Sequence, residues 1–287
     1  LSEADLTDLR TAKLLLEHPG LAAKISSFVG TPVEKGFALL PKQWHGTVND
    51  ATRKAIETAL RVALWTMDQG EASLTKSAPA NWWHKLAAGA SGAAGGAFGL
   101  AALAVELPVS TTIMLRSIAD IARSEGEDLK LADARLECVQ VLALGGRAAS
   151  DDAAEVGYFA ARTAMASAVS EAAKHLATQG LSQHGAPAIV RLITMVASRF
   201  SIVVSEKAAA QAVPVVGAIG GAVINTLFID HFQDMARGHF IVRRLERAYG
   251  ASEVKRLYAE VSGSKRRLLF AGAPMRAKDG SRRDAQD

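Results

Sequence analysis

The sequence predicts an all-α protein: a single compact multi-helix domain of about ten helices, with two long Gly/Ala-rich apolar helices packed at its centre. Three observations lead there. Hydrophobic residues make up 49% of the 287 residues while aromatic ones make up only 6%, so the apolar content is Ala, Leu and Val rather than the β-branched and aromatic mixture of sheets. Apolar residues recur at helical spacing between Gly and Pro breakers, and no convincing period-2 run is found. A chain of this length also has enough material for one large core, and 22% charged residues with eight prolines exclude a disordered or collagen-like polymer.

The elements follow in order. Leu6, Leu9, Leu14 and Leu16 open a helical pattern that His18-Pro19-Gly20 stops. A short helix over Leu21–Val29 ends at Gly30-Thr31-Pro32, and Pro41 closes a third short segment. Asn49-Asp50 is expected to cap a long helix carrying Ile56, Leu60, Leu64 and Met67. Gly70–Asn81 reads as a loop. Leu107-Pro108 is expected to break or start a helix that continues through Ile113, Ile118 and Ile121 to Gly126. Glu127-Asp128 initiates the next, with Leu129, Leu136, Val139 and Leu142 inward and Gly145-Gly146 at its end. Asp151-Asp152 caps an Ala-rich helix to about His175, and Pro187 begins another to Glu206. Phe232, Met235, His239, Val242 and Tyr249 mark a helix stopping at Gly250, after which Ser252 caps a short one to about Val261. The domain is therefore drawn as 1–264, and 265–287 as a basic, disordered tail.

Two uncharged stretches stand out, Leu86–Val105 and Ala208–Ile229. Both are long enough to span a bilayer, but Ala, Gly, Gln211 and Pro214 argue for buried helices of a soluble domain. Small residues four apart, Gly95/Gly99 in the first and Gly217/Gly221 in the second, would let backbones approach closely.

Charge narrows the choice of partners. Seven of the 33 Lys/Arg and three of the 29 Asp/Glu lie in 265–287, which leaves 26 of each in residues 1–264. The body is neutral and the pI of 9.2 belongs to the tail, so no nucleic-acid partner is expected. Lys265, Arg266 and Arg267 can instead meet anionic headgroups, as can Trp82 and Trp83, which stand beside Lys85 before the first apolar stretch. Cys138 is the only cysteine, which excludes an intramolecular disulfide. With no cationic leader pattern before an apolar run, the expected location is cytoplasmic, with the inner face of the membrane as the site of any peripheral contact.

Candidate chemistry is sparse. Asp230, His231 and Asp234 share one side of a helix and with Glu106, Glu137 or Glu155 form the only metal-ligand candidates; the alternative is a polar seam in which Asp230 or Asp234 pairs with Arg237 and His239 is a hydrogen-bonded core histidine. Asn225 interrupts an apolar run and must find partners or a ligand. Glu106 is expected to pair with Arg116 or Lys207. Cys138 reads as a buried hydrophobe. No nucleophile elbow and no phosphate-binding loop is present, and no cofactor is expected.

Two blocks carry a family resemblance. Glu106-Leu107-Pro108, Thr111-Thr112, Arg116-Ser117-Ile118-Ala119, Ile121-Ala122, Gly126-Glu127-Asp128 and Cys138 form one. Lys207-Ala208-Ala209-Ala210-Gln211, Val213-Pro214, Gly217, Gly220-Gly221-Ala222 and Asn225 form the other. Together they resemble the central and C-terminal blocks of the EcsC protein family, over about residues 5–260. The resemblance implies an all-α fold and work close to a membrane, since the family is named for a gene beside an ABC exporter pair. It carries over no catalytic residue.

The expected function is thus a non-enzymatic, membrane-associated protein that binds lipid or another apolar ligand between Gly-rich helices. Glu106, Asn225, Gly95, Gly99, Gly217 and Gly221 would line the ligand site. The alternatives are a metal-dependent hydrolase or oxidase built on the Asp/His/Glu cluster, and a soluble partner of a transporter or secretion system.

Overall fold

The computed structural model describes residues 1–17, 20–30, 32–66, 97–146, 157–179, 186–213 and 221–270. Ten helices occur among them: α1 (Glu3–Glu17), α2 (Leu21–Val29), α3 (Glu34–Phe37), α4 (Trp44–Thr66), α5 (Ala97–Ser124), α6 (Ala132–Leu144), α7 (Gly157–Gln179), α8 (Pro187–Ala212), α9 (Gly221–Tyr249) and α10 (Ala251–Phe270). No strand is found among the described residues.

Helix α9 is the organising element, packed against α1, α2, α5, α6, α8 and α10. Its Phe228 and Phe232 meet Phe200 of α8 in a cluster of tilted and edge-on rings, with Phe232 to Phe200 at 5.3 Å and to Phe228 at 5.2 Å. Helices α5 and α9 run parallel: Ser117 bonds Gln233 and Glu127 bonds Arg243, both 116 positions on. Helix α1 runs antiparallel to α9, with Asp8 against Arg244 and Leu16 against Gly238. A Cβ on Gly238 would sit 2.6 Å from Leu16 Cγ, so the bare backbone sets this spacing. Gly36 of α3 lies closer still to α8, since a Cβ there would fall 1.9 Å from Ala209 O.

Three elements differ from the sequence expectation. Helix α4 begins at Trp44, not at Asn49-Asp50, because Trp44 packs against Phe37 and His45 and Val48 is fully buried one turn on. Pro108 neither breaks nor starts a helix but lies inside α5. The turn around it is held by Ser110 Oγ donating to Leu107 O (3.2 Å) and Thr112 Oγ1 to Pro108 O (2.8 Å), and burial of α5 against α4 and α9 outweighs the lost backbone bond. Helix α10 passes Val261 and runs to Phe270, so Lys265, Arg266 and Arg267 lie on helical backbone; Gly263 weakens a helix by about 1 kcal/mol without ending it.

Residues 67–96 and 214–220 lie outside the described residues, and with them part of each Gly/Ala-rich stretch and the candidates Trp82, Trp83, Gly95 and Gly217. Gly99 is in the first turn of α5 and Gly221 opens α9.

Candidate functional site

Two buried polar centres interrupt the apolar core, one at each half of α9. The first joins α5 to α8. Lys207 Nζ donates to Glu106 Oε1 at 2.6 Å, with Lys207 wholly buried and Glu106 8% exposed. The lysine also stands over the Phe228 ring, 4.7 Å from its centroid. Burial lowers the Lys207 pKa from its ordinary range, and the Glu106 charge and hydrogen bond oppose that shift. On the helices that carry Glu106 and Phe228, two buried polar atoms find no hydrogen-bond partner among the described residues: Thr111 Oγ1 on α5 and Asn225 Oδ1 on α9. Asn225 is one turn before Phe228 on α9, and the parallel register of α5 and α9 sets it level with Val109, one turn from Glu106.

The second centre joins α6, α7 and α9. His239, fully buried, has Nε2 at 3.0 Å from Glu137 Oε2 and Nδ1 at 2.9 Å from Tyr158 Oη. Burial alone would raise the Glu137 carboxyl, but the His239 hydrogen bond and the charges of Arg243 and Arg162 outweigh it and hold the group ionised below its usual value. A carboxylate only accepts, so Nε2 carries the proton, and Nδ1 accepts from the Tyr158 hydroxyl. Burial pushes the His239 pKa down and the Tyr158 pKa up, so both are neutral. Arg243 contacts the other oxygen of Glu137 at 2.8 Å and bonds Glu127, which Arg247 also reaches. Arg162 pairs with Glu246 at 2.8 Å.

The proposed metal ligands do not converge. Asp230 is exposed, His231 is buried with Nε2 donating to Gly145 O at 3.0 Å, and Asp234 pairs with Lys24 at 3.0 Å and Arg237 at 3.7 Å. Among the described residues no group of His, Cys, Asp and Glu could hold a metal ion. The side of α9 they share is divided between neighbours, α6 taking His231 and α2 taking Asp234. Asp234 with Arg237 and the hydrogen-bonded core His239 are the polar seam weighed against the metal reading. Cys138 is fully buried and donates to Ala134 O at 3.4 Å, and burial raises its thiol far above reactivity at neutral pH.

Sequence reasoning offered Arg116 or Lys207 as the partner of Glu106, which pairs with Lys207, and had His239 as a core histidine, but not the Glu137–His239–Tyr158 chain. A signal was present for one member only: His239 shares the Phe232/Met235/Val242 stripe, whereas Glu137 lies off the Leu136/Val139/Leu142 face and is buried because α6 is enclosed on nearly all sides.

The sequence profile of the EcsC protein family matches residues 3–245. The chain belongs to the EcsC protein family. The match contains Glu106 and Lys207 of the first centre and Glu137, Tyr158 and His239 of the second. No curated protein and no solved structure matches the chain.

Proposed function

We propose that this EcsC protein is a non-catalytic module that works at the cytoplasmic face of a membrane and binds lipid or another ligand with an apolar body. Helix α8 carries the reading. It is the one described helix long and apolar enough to cross a bilayer, yet only 39% of its most apolar stretch is buried inside the protein. Val190 is exposed and Met195, Ala197 and Ile202 are half-buried, and this partly covered apolar flank is where an apolar neighbour would fit. The C-terminal end of α8 holds Lys207, next to Glu106 and close to the unsatisfied Asn225 Oδ1. A ligand with a polar head would place it there, with a hydroxyl or amine donating to Asn225 Oδ1. A metal-dependent hydrolase or oxidase would need Asp230, His231 and Asp234 to converge, and their different partners argue against it.

Native mass spectrometry of protein prepared without detergent or chelator tests this reading, together with flotation on vesicles of phosphatidylcholine with and without phosphatidylserine. A retained mass in the lipid range or co-flotation supports it. A bare polypeptide that stays with the soluble fraction overturns it and leaves binding to a transporter or secretion component as the next question.

A further inference from the structure

We infer that the corner between α2 and α3 is the element that docks this protein on an anionic bilayer, with Phe28 and Leu39 entering the headgroup layer and Lys35 and Lys42 meeting its phosphates. The inference rests on the membrane reading above and names the surface that makes the contact. Phe28 is 65% exposed and Leu39 53% exposed. The other exposed large apolar residues among those described, Leu14, Leu131, Val190 and Tyr249, stand singly on separate elements, whereas this corner presents two within twelve residues.

The exposure is built in rather than a product of a loose chain. Leu21 and Ile25 on one side and Val33 on the other are buried. Gly30 turns the chain in the left-handed region at φ 70°, and Val33 N donates to Ser26 Oγ at 3.1 Å. Gly36 is pressed on Ala209 of α8 with no room for a Cβ, and Ala22 N donates to Glu206 of α8 at 3.1 Å. A corner anchored inward at these points holds its remaining apolar side chains out in solvent, where they cost solubility unless covered.

Charge selects the cover. Lys35 and Lys42 are exposed on either side of Leu39, against one exposed carboxylate, Glu34. Apolar residues interleaved with cations match an anionic headgroup layer. The corner also sits at the right end of the molecule. Ala209, its contact on α8, is two residues from Lys207, so the corner lies above the Glu106–Lys207 centre. Helix α10 turns back at Gly250 and runs antiparallel to α9, with Tyr258 O level with Lys13 (2.6 Å) and the Tyr258 ring stacked near Tyr158. Its C-terminal half, carrying Lys265, Arg266 and Arg267 in sequence, therefore heads to the same end.

The test uses the full chain and flotation on phosphatidylcholine vesicles with and without phosphatidylserine. The wild type is expected to float with the anionic vesicles. The double variant Phe28→Ser with Leu39→Ser should lose roughly tenfold or more in partitioning at unchanged melting temperature. Lys35→Gln with Lys42→Gln should weaken the preference for phosphatidylserine and lower its salt sensitivity, the cations of α10 carrying the remainder. A second measurement does not depend on weakened binding. Ser27→Cys, labelled with a polarity-sensitive dye, should shift to the blue on anionic vesicles, while the same dye at Thr7→Cys, at the opposite end of α1, should not. The buried Cys138 leaves the labelling selective. If the wild type floats but the apolar double variant floats equally and the dye at position 27 is silent, the docking corner is wrong and the membrane reading survives. If the wild type binds neither vesicle, both fall.

Discussion

Lys207 Nζ lies 2.6 Å from Glu106 Oε1, and the two residues, 101 positions apart in the chain, are both buried. Such a pair tolerates joint replacement far better than the loss of one member. Glu106→Gln strands a buried ammonium and should cost about 3–5 kcal/mol in urea unfolding, and Lys207→Met strands the carboxylate at a similar cost. The double variant should recover most of the loss, giving a coupling energy of about 2 kcal/mol or more. Additive effects of the two substitutions would show that the pair is not coupled in solution.

Two glycines, ten positions apart, should respond in opposite directions. Gly36→Ala drives a Cβ to 1.9 Å from Ala209 O, a backbone atom in the last turn of α8. The α3–α8 contact must open, at about 1–3 kcal/mol or more. Gly46 lies in α4 with nothing within 4 Å of its absent Cβ. Gly46→Ala should therefore raise stability by about 0.5–1 kcal/mol through helix propensity alone. Thermal unfolding of both variants beside the wild type checks the contrast; equal melting temperatures for the two would contradict it.

The contrast between these positions marks what could be read from the chain. Helix limits set by local chemistry were legible: the Gly30 turn ends α2, Pro187 opens α8 and Gly250 ends α9 where the punctuation places them. Pro108 misleads, because the contacts that keep its turn helical come from α4 and α9. The Glu106 pairing was legible since a charge at the edge of an apolar stretch must find an opposite charge, and Lys207 borders the other such stretch. Asp230, His231 and Asp234 show the limit. Spacing sets them on one side of a helix, but which neighbour each meets depends on α2 and α6. Tyr158 and Glu137 reach His239 across 81 and 102 residues, a distance over which periodicity carries no information.

That buried chain makes stability depend on pH. Burial pushes the His239 pKa below 6.5; the Glu137 hydrogen bond and charge pull it back only in part, while the charges of Arg162 and Arg243 add to the depression. In the unfolded chain the same imidazole takes up its proton near pH 6.5, so below that point the unfolded state binds more protons and stability falls as pH falls. Glu137, held below 4.5 in the folded state, extends the loss further into acid. The slope from one such group is at most about 1.4 kcal/mol per pH unit. Gln in place of His239 keeps a donor for Glu137 and an acceptor for the Tyr158 hydroxyl without titrating. Urea unfolding at pH 7.5, 6.5 and 5.5 should show the wild type weakening across this range and His239→Gln weakening less, from a lower starting stability by about 1–3 kcal/mol. Parallel pH curves for the two proteins would mean that His239 does not set the acid limb.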